Sequence, residues 1–474
     1  MKRLLIVLLS LCITSSVFAQ MSDTVNDSTL YLTLEDALKI ALSENISVKV
    51  ADREVQRSEY ALKGTYASLF PQIDASASYQ RTIKKQVMYM DFDMGSLTGA
   101  SMGDDIPAAQ DPTSKGGAGA VTPGGGIEVG RWNTFSAGVS AGMPLVNAAL
   151  WKSIKISGQD VELAVEKARG SRLDMVSEVK SVFFSILLAK QALAVYEEVY
   201  KNAVENFRIT EMRYNVQKAS ELDYTRAKAA VSNAIPSVNE SLSSIALSLW
   251  QLKAVIGLDL ETDIDIIGNL DDYAEIMFRS IHENEDATPE NNSSLRQLAI
   301  QAEELANMVK LQEAAYLPTL ALSFSYSLNA MTNDFKFSEY NWSPYSFVGL
   351  SLQIPIFSGG KRQSNVKQAK IQYDEVKLQE ENAERQLKIA IRQYLNQMET
   401  QMNSFSAAED AMKTAQKAYD IASKSYSIGR STLTDLNDAQ LALTQAELSR
   451  CQTVYNFMIA KTNLEQTLGN DFLE

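Results

Sequence analysis

The sequence predicts a mixed fold: membrane-spanning β-strands joined to very long coiled-coil helices, with the same layout used twice along the chain. Three observations carry this. Two proline-free runs, 148–215 and 359–427, each hold about 68 residues. As helices they would be roughly 100 Å long, against a usual length of about 11–12 residues. Helices of that length must bury a stripe against neighbours throughout, which is coiled-coil behaviour. Four segments alternate apolar with small polar residues over the 9–11 residues that a tilted membrane strand needs. Finally, short stretches recur in the same order in both halves.

Residues 1–19 read as a signal peptide. Lys2 and Arg3 precede an apolar run from Leu4 to Ile13, and Val17-Phe18-Ala19 form a small-residue cleavage site. The run is too short to span a bilayer. Cleavage would remove Cys12 and leave Cys451 alone, so an exported chain would have no internal disulfide. The net charge of −14 becomes −16 without Lys2 and Arg3. So acidic a chain excludes nucleic acid as a partner.

The first repeat spans 20–257. After an opening helix, Ile73, Ala75, Ala77 and Tyr79 line one face of a strand at about 72–83, opposite Gln72, Asp74, Ser76 and Ser78. The partner strand, about 132–143, turns Phe135, Val139 and Met143 the same way. The loop between them, 88–130, is rich in Gly, Ser, Asp and Pro, a composition expected of an exposed loop. The long helix at 148–215 follows, then a return helix at about 220–256. Pro236 should kink that helix, because proline removes one helical hydrogen bond. Residues 258–291 read as an irregular equatorial segment containing the single histidine, His282.

The second repeat, 292–474, has strands at about 319–329 and 345–356, a long helix at 359–427 and a return helix at about 432–468. Leu320, Leu322, Phe324 and Tyr326 share one face, as do Val348, Leu350, Leu352 and Ile354. Both return helices carry a stripe: Tyr224, Ala227, Val231 and Ala234, and Leu436, Ala439, Leu443 and Ala446. An ordinary half-buried sheet packed on helices would also alternate. Four strands cannot close a barrel, however, and an open edge cannot sit in lipid. If these strands span a membrane, several chains share one barrel.

The helix breaks are the most closely repeated pieces. "RYNVQKASELD" (213–223) aligns with "SYSIGRSTLTD" (425–435), placing Tyr214 on Tyr426 and Asp223 on Asp435. "FPQI" matches "YLPTL", and "MPLVN" matches "IPIFSGG". With the "TLEDALKIALSENISV" opening, this doubled layout resembles the TolC family of outer-membrane factors over nearly the whole mature chain. The resemblance implies a homotrimer sharing one twelve-stranded barrel, continued by an α-helical barrel through the periplasm. It implies a passive exit duct of a tripartite efflux pump or type I secretion system, seated in outer-membrane lipid. A periplasmic adaptor (membrane fusion protein) and an inner-membrane transporter would be its partners. No cofactor and no enzymatic activity are implied.

By the same resemblance the hairpin tips are Asn215, Gln217 and Lys218 in the first repeat and Gly429 and Ser431 in the second. Asp435 and Asp438 match the acidic ring of the channel constriction. Asp223, Tyr426 and Arg430 match the links that close the gate, although the family's basic residue often falls where this chain has Ser431. Gln217 replaces the glycine expected in the first turn, so that turn should differ in shape. Asp223 and Asp435 could equally cap their helices, since a carboxylate in the first turn favours the helix dipole, and Tyr426 could simply pack the hairpin.

Other motifs fail on context. "GVSAG" (138–142) matches a nucleophile elbow, but Ser140 lies mid-strand and the one histidine is remote. "FSGGKRQS" lacks phosphate-loop spacing, and one histidine with one mature cysteine gives no metal cluster. The competing reading is a secreted coiled-coil structural or adhesion protein, which leaves the four strands unexplained.

Overall fold

The computed structural model describes residues 29–89, 126–279 and 288–470. The leader at 1–19, His282 and most of the 88–130 loop lie outside them. In chain order the elements are β1 (Leu30–Leu32), α1 (Leu34–Glu44), α2 (Ile46–Ala67), β2 (Gln72–Arg81), β3 (Gln86–Tyr89) and β4 (Gly126–Val129). Then come β5 (Asn133–Val146), α3 (Ala148–Asn215), α4 (Glu221–Ile256), β6 (Ile264–Ile266) and α5 (Ala274–Arg279). The second half has α6 (Ser293–Ala314), β7 (Thr319–Thr332), β8 (Ser343–Gln353), α7 (Lys361–Ser427) and α8 (Leu433–Leu468). These residues form two compact units: Ser58–Val161 with Ala302–Glu375, and the rest.

The first unit holds an antiparallel sheet of order β2-β5-β7-β8. Its register brings the four apolar faces onto one side. Ile73 pairs with Ala141, Ala141 with Phe324, and Phe324 with Val348. One residue out of phase, Ser78, Ser136, Asn329 and Ser343 form a polar row, and the Ser78 and Ser136 hydroxyls lie 2.7 Å apart. Tyr345 and Phe347 also stand on this side, so it is not uniformly small. Gly138 is required in its own row, because a Cβ there would come within 2.8 Å of the Tyr326 carbonyl. In the single chain the apolar side is bare: Ile73 is 70% exposed and Val348 72%.

β5 runs three residues past its expected end, through Pro144 and a bulge before Val146. Pairing with β2 stops at Gly142. Beyond it β5 is an edge, where a residue without an N–H is tolerated. β8 ends at Gln353, two residues before Pro355.

The second unit has one continuous core. Phe183, Phe184, Ile186 and Leu187 of α3 are buried with Leu252 and Ile256 of α4 and Phe457 of α8. The two repeats close in the same way. Asn45 donates from Nδ2 to the Val255 carbonyl (2.6 Å) and Asn292 to the Thr467 carbonyl (2.8 Å). Each also accepts the first free amides of the helix that follows. Gly257 and Gly469 end α4 and α8 in the left-handed region, at φ 80° and 69°.

The stretch expected to be irregular contains β6, which pairs in parallel with β1, as well as 3₁₀ turns and α5. Three-residue strands are too short to show a period in sequence. α4 is assigned as one helix from end to end, with Pro236 inside it at an exposed position. On α7 five of the six buried residues, Ile391, Met398, Phe405, Tyr419 and Tyr426, are spaced by multiples of seven, and Ala369 alone stands off that spacing. That period specifies a left-handed coiled-coil seam.

Candidate functional site

The two helix hairpins end in the same backbone motif. After α3, the Gln217 amide donates to the Tyr214 carbonyl and the Lys218 amide to Arg213, at 2.9 and 2.8 Å. After α7, Gly429 donates to Tyr426 and Arg430 to Ser425, at 3.0 and 2.8 Å. Each pair satisfies carbonyls left free at a helix end through one residue in the left-handed region. That residue is Gly429 at φ 80° and Gln217 at φ 61°. The first turn therefore does not differ in shape, contrary to the expectation from its missing glycine. Gln217 adopts the glycine conformation at a steric cost.

The return helices start alike. The Ser220 hydroxyl accepts the Asp223 amide at 3.1 Å and donates to the Asp223 carboxylate at 2.7 Å. Thr432 makes the same pair with Asp435, and the Thr432 amide donates to that carboxylate as well, at 3.0 Å. Asp435 thus closes a full capping box, while Asp223 engages only the hydroxyl of its cap residue. The Thr432 hydroxyl, then its amide, holds the Asp435 carboxyl below its ordinary value. Asp435 and Asp438 are both exposed, and their three-residue spacing puts two carboxylates on one helix face. Capping occupies only part of Asp435, so it still presents negative charge to solvent.

Tyr426 is 5% exposed. Its hydroxyl hydrogen-bonds Thr210, and the Arg213 guanidinium lies 4.8 Å from its ring centroid. Arg213 Nη2 donates to the Tyr426 and Ser427 carbonyls at 2.6 and 2.7 Å. Among the described residues, no hydrogen bond joins Tyr426 to Asp223 and no ion pair engages Arg430, which is exposed together with Asn215 and Lys218. The Ser431 hydroxyl donates to the Thr432 carbonyl at 3.3 Å. Tyr214, the repeat counterpart of Tyr426, stacks on Tyr224 at 5.0 Å instead.

Sequence reasoning missed Thr210 and Arg213. Arg213 stands beside the repeated tyrosine, but its partners are backbone carbonyls 213 and 214 residues away, which leave no side-chain signal. No group of His, Cys, Asp or Glu among the described residues is placed to hold a metal ion.

The family model described as "Outer membrane efflux protein" matches residues 37–258 and 286–470. The chain is 21% identical over 244 residues to the outer membrane protein TolC of Vibrio cholerae, covering 50% of this chain and 55% of that protein. It is 22% identical over 346 residues to the TolC of Escherichia coli, covering 71% and 70%. The CmeC outer membrane channel of Campylobacter jejuni superposes with a TM-score of 0.68 at 18% identity, over 92% of this chain and 85% of that one.

Proposed function

We propose that this chain, which belongs to the outer membrane efflux protein family, is one of three identical subunits forming a passive duct gated at its helical tips. Membership makes it an outer-membrane efflux channel, in a family of channels and not of enzymes, and sets aside the secreted coiled-coil reading. The sheet register supports the reading of a barrel shared between copies. It gathers the apolar faces on one side and leaves β2 and β8 as unpaired edges. Lipid tolerates the apolar side but not the edges, so copies must join β8 to β2. Three copies of four strands give twelve, an even number as in bacterial barrels. At the tip of the second hairpin, the exposed Asp435 and Asp438 become stacked rings under threefold symmetry. Clustered carboxylates in a narrow mouth gather cations and repel anions. The duct would receive cargo from an inner-membrane transporter through a periplasmic adaptor, in drug or metal efflux or in protein secretion.

The test is single-channel conductance in a planar bilayer with a salt gradient. Small cation-selective steps are expected, and Asp435→Asn with Asp438→Asn should move the reversal potential towards zero selectivity. An unchanged reversal potential would refute the acidic constriction.

A further inference from the structure

The side-chain hydrogen bond of Tyr426 and the cation over its ring come from the other hairpin of its own chain, while the ring also packs in a cluster with Tyr419, Leu433 and Leu436 of its own hairpin. The Thr210 side chain lies in a fully buried residue, and its hydroxyl contacts both the Asn206 carbonyl, at 2.7 Å, and the Tyr426 hydroxyl. A hydroxyl has one proton. Thr210 gives it to Asn206, so Tyr426 must be the donor to Thr210. The Tyr426 and Ser427 carbonyls belong to the last turn of α7, where the dipole concentrates partial negative charge; the Tyr426 carbonyl already accepts the Gly429 amide and offers Arg213 its second lone pair. Arg213 supplies the cation there. Its bonds to both carbonyls are charge-assisted, and its planar face covers the tyrosine ring. Lysine offers a point charge without that fork or face.

The arrangement runs one way. The repeat counterparts of Thr210 and Arg213 are Ala422 and Ser425, which can make neither contact. Tyr214, in the place of Tyr426, is 38% exposed. The first hairpin therefore holds the second, and the second does not reciprocate.

We propose that Arg213 and Thr210 form a latch that positions the tip of the second hairpin through Tyr426 and must part before the tip widens. This rests on the reading of the tip as a gate. Arg213 and Thr210 are positioning residues: the constriction carboxylates would sit elsewhere without them.

The experiment compares native channels with Arg213→Gln, Arg213→Lys, Thr210→Val and Thr210→Ser in planar bilayers. Removing charge-assisted bonds should raise time-averaged conductance by roughly tenfold in Arg213→Gln. Arg213→Lys should fall between, Thr210→Val should raise conductance less, and Thr210→Ser should match the native channel. Native-like conductance in Arg213→Gln, with assembly intact by heat-modifiable mobility, would overturn the latch. Loss of cation-selective steps in the native protein would instead overturn the gate reading. If Arg213→Gln fails to assemble, Arg213→Cys with Ser427→Cys, bridged by a short cleavable thiol crosslinker, supplies the second measurement. Conductance should stay low while bridged and rise on cleavage, and no rise on cleavage would also overturn the proposal.

Discussion

Gln217 holds φ 61° in a turn whose repeat counterpart is a glycine at φ 80°. A side chain in that region costs about 1–2 kcal/mol, partly offset by the stiffer unfolded chain. Gln217→Gly should therefore stabilise the hairpin by about 0.5–1 kcal/mol, and Gly429→Ala should destabilise it by about 1 kcal/mol. Denaturant midpoints of the two variants check both signs. Cys451 offers a second residue-level prediction. Burial pushes its thiol up to about 11, so little thiolate exists at neutral pH. Iodoacetamide should leave the folded protein unlabelled and label it on unfolding. Asp435 offers a third. Its folded pKa lies below 3.8, held there by Thr432. The stabilisation is therefore present above that value and lost as pH falls through the folded pKa. The difference in melting midpoint between native protein and Asp435→Asn should be constant at neutral pH and vanish in stronger acid. At this scale the sequence was legible where chemistry repeats locally, as in the two Asp caps. It was silent on Arg213, whose meaning lies in distant carbonyls.

Elements were legible in proportion to their length and period. The α3 bounds coincide with a run lacking proline, and strand alternation matched the register because a one-residue slip would have turned an apolar face to the polar side. Boundaries moved where backbone donors decide them: β5 continues through Pro144 because its pairing with β2 has already ended. The three-residue strands β1 and β6 carry no period and were missed. The α7 seam was readable but overlooked, because its five residues are diluted among the sixty-seven of the helix. Phe405 lies in that seam and in the core with Cys451 and Phe457. Phe405→Ala should cost about 3–5 kcal/mol, whereas Ile389→Ala, at an exposed position two residues from the seam, should cost far less in the isolated subunit. Chemical denaturation of the two variants distinguishes a seam from general hydrophobicity. In the sheet, Gly138→Val should impair barrel formation, since a Cβ already meets the Tyr326 carbonyl.

For the whole molecule, the decisive quantity is what one chain leaves unsatisfied. Along β2 and β8 one row each of backbone donors and acceptors has no partner in the sheet, and each such group costs several kcal/mol in hydrocarbon. The same strands expose Ile73, Val348, Leu350 and Leu352, which water penalises. A single chain is thus suited neither to water nor to lipid, and the proposed edge joining between copies would satisfy both conditions. Insertion and oligomerisation should consequently be one event rather than two. In a refolding experiment into detergent or vesicles, the heat-modifiable band at three times the subunit mass should appear with the same rate constant as protease protection of the sheet. Proline placed in the middle of β8, as Leu350→Pro, removes one donor from an edge and one rotamer-rich contact from the apolar side. It should abolish both signals together. A protected monomer accumulating before the trimer would mean that the edges are covered within one chain, and the shared barrel would have to be abandoned.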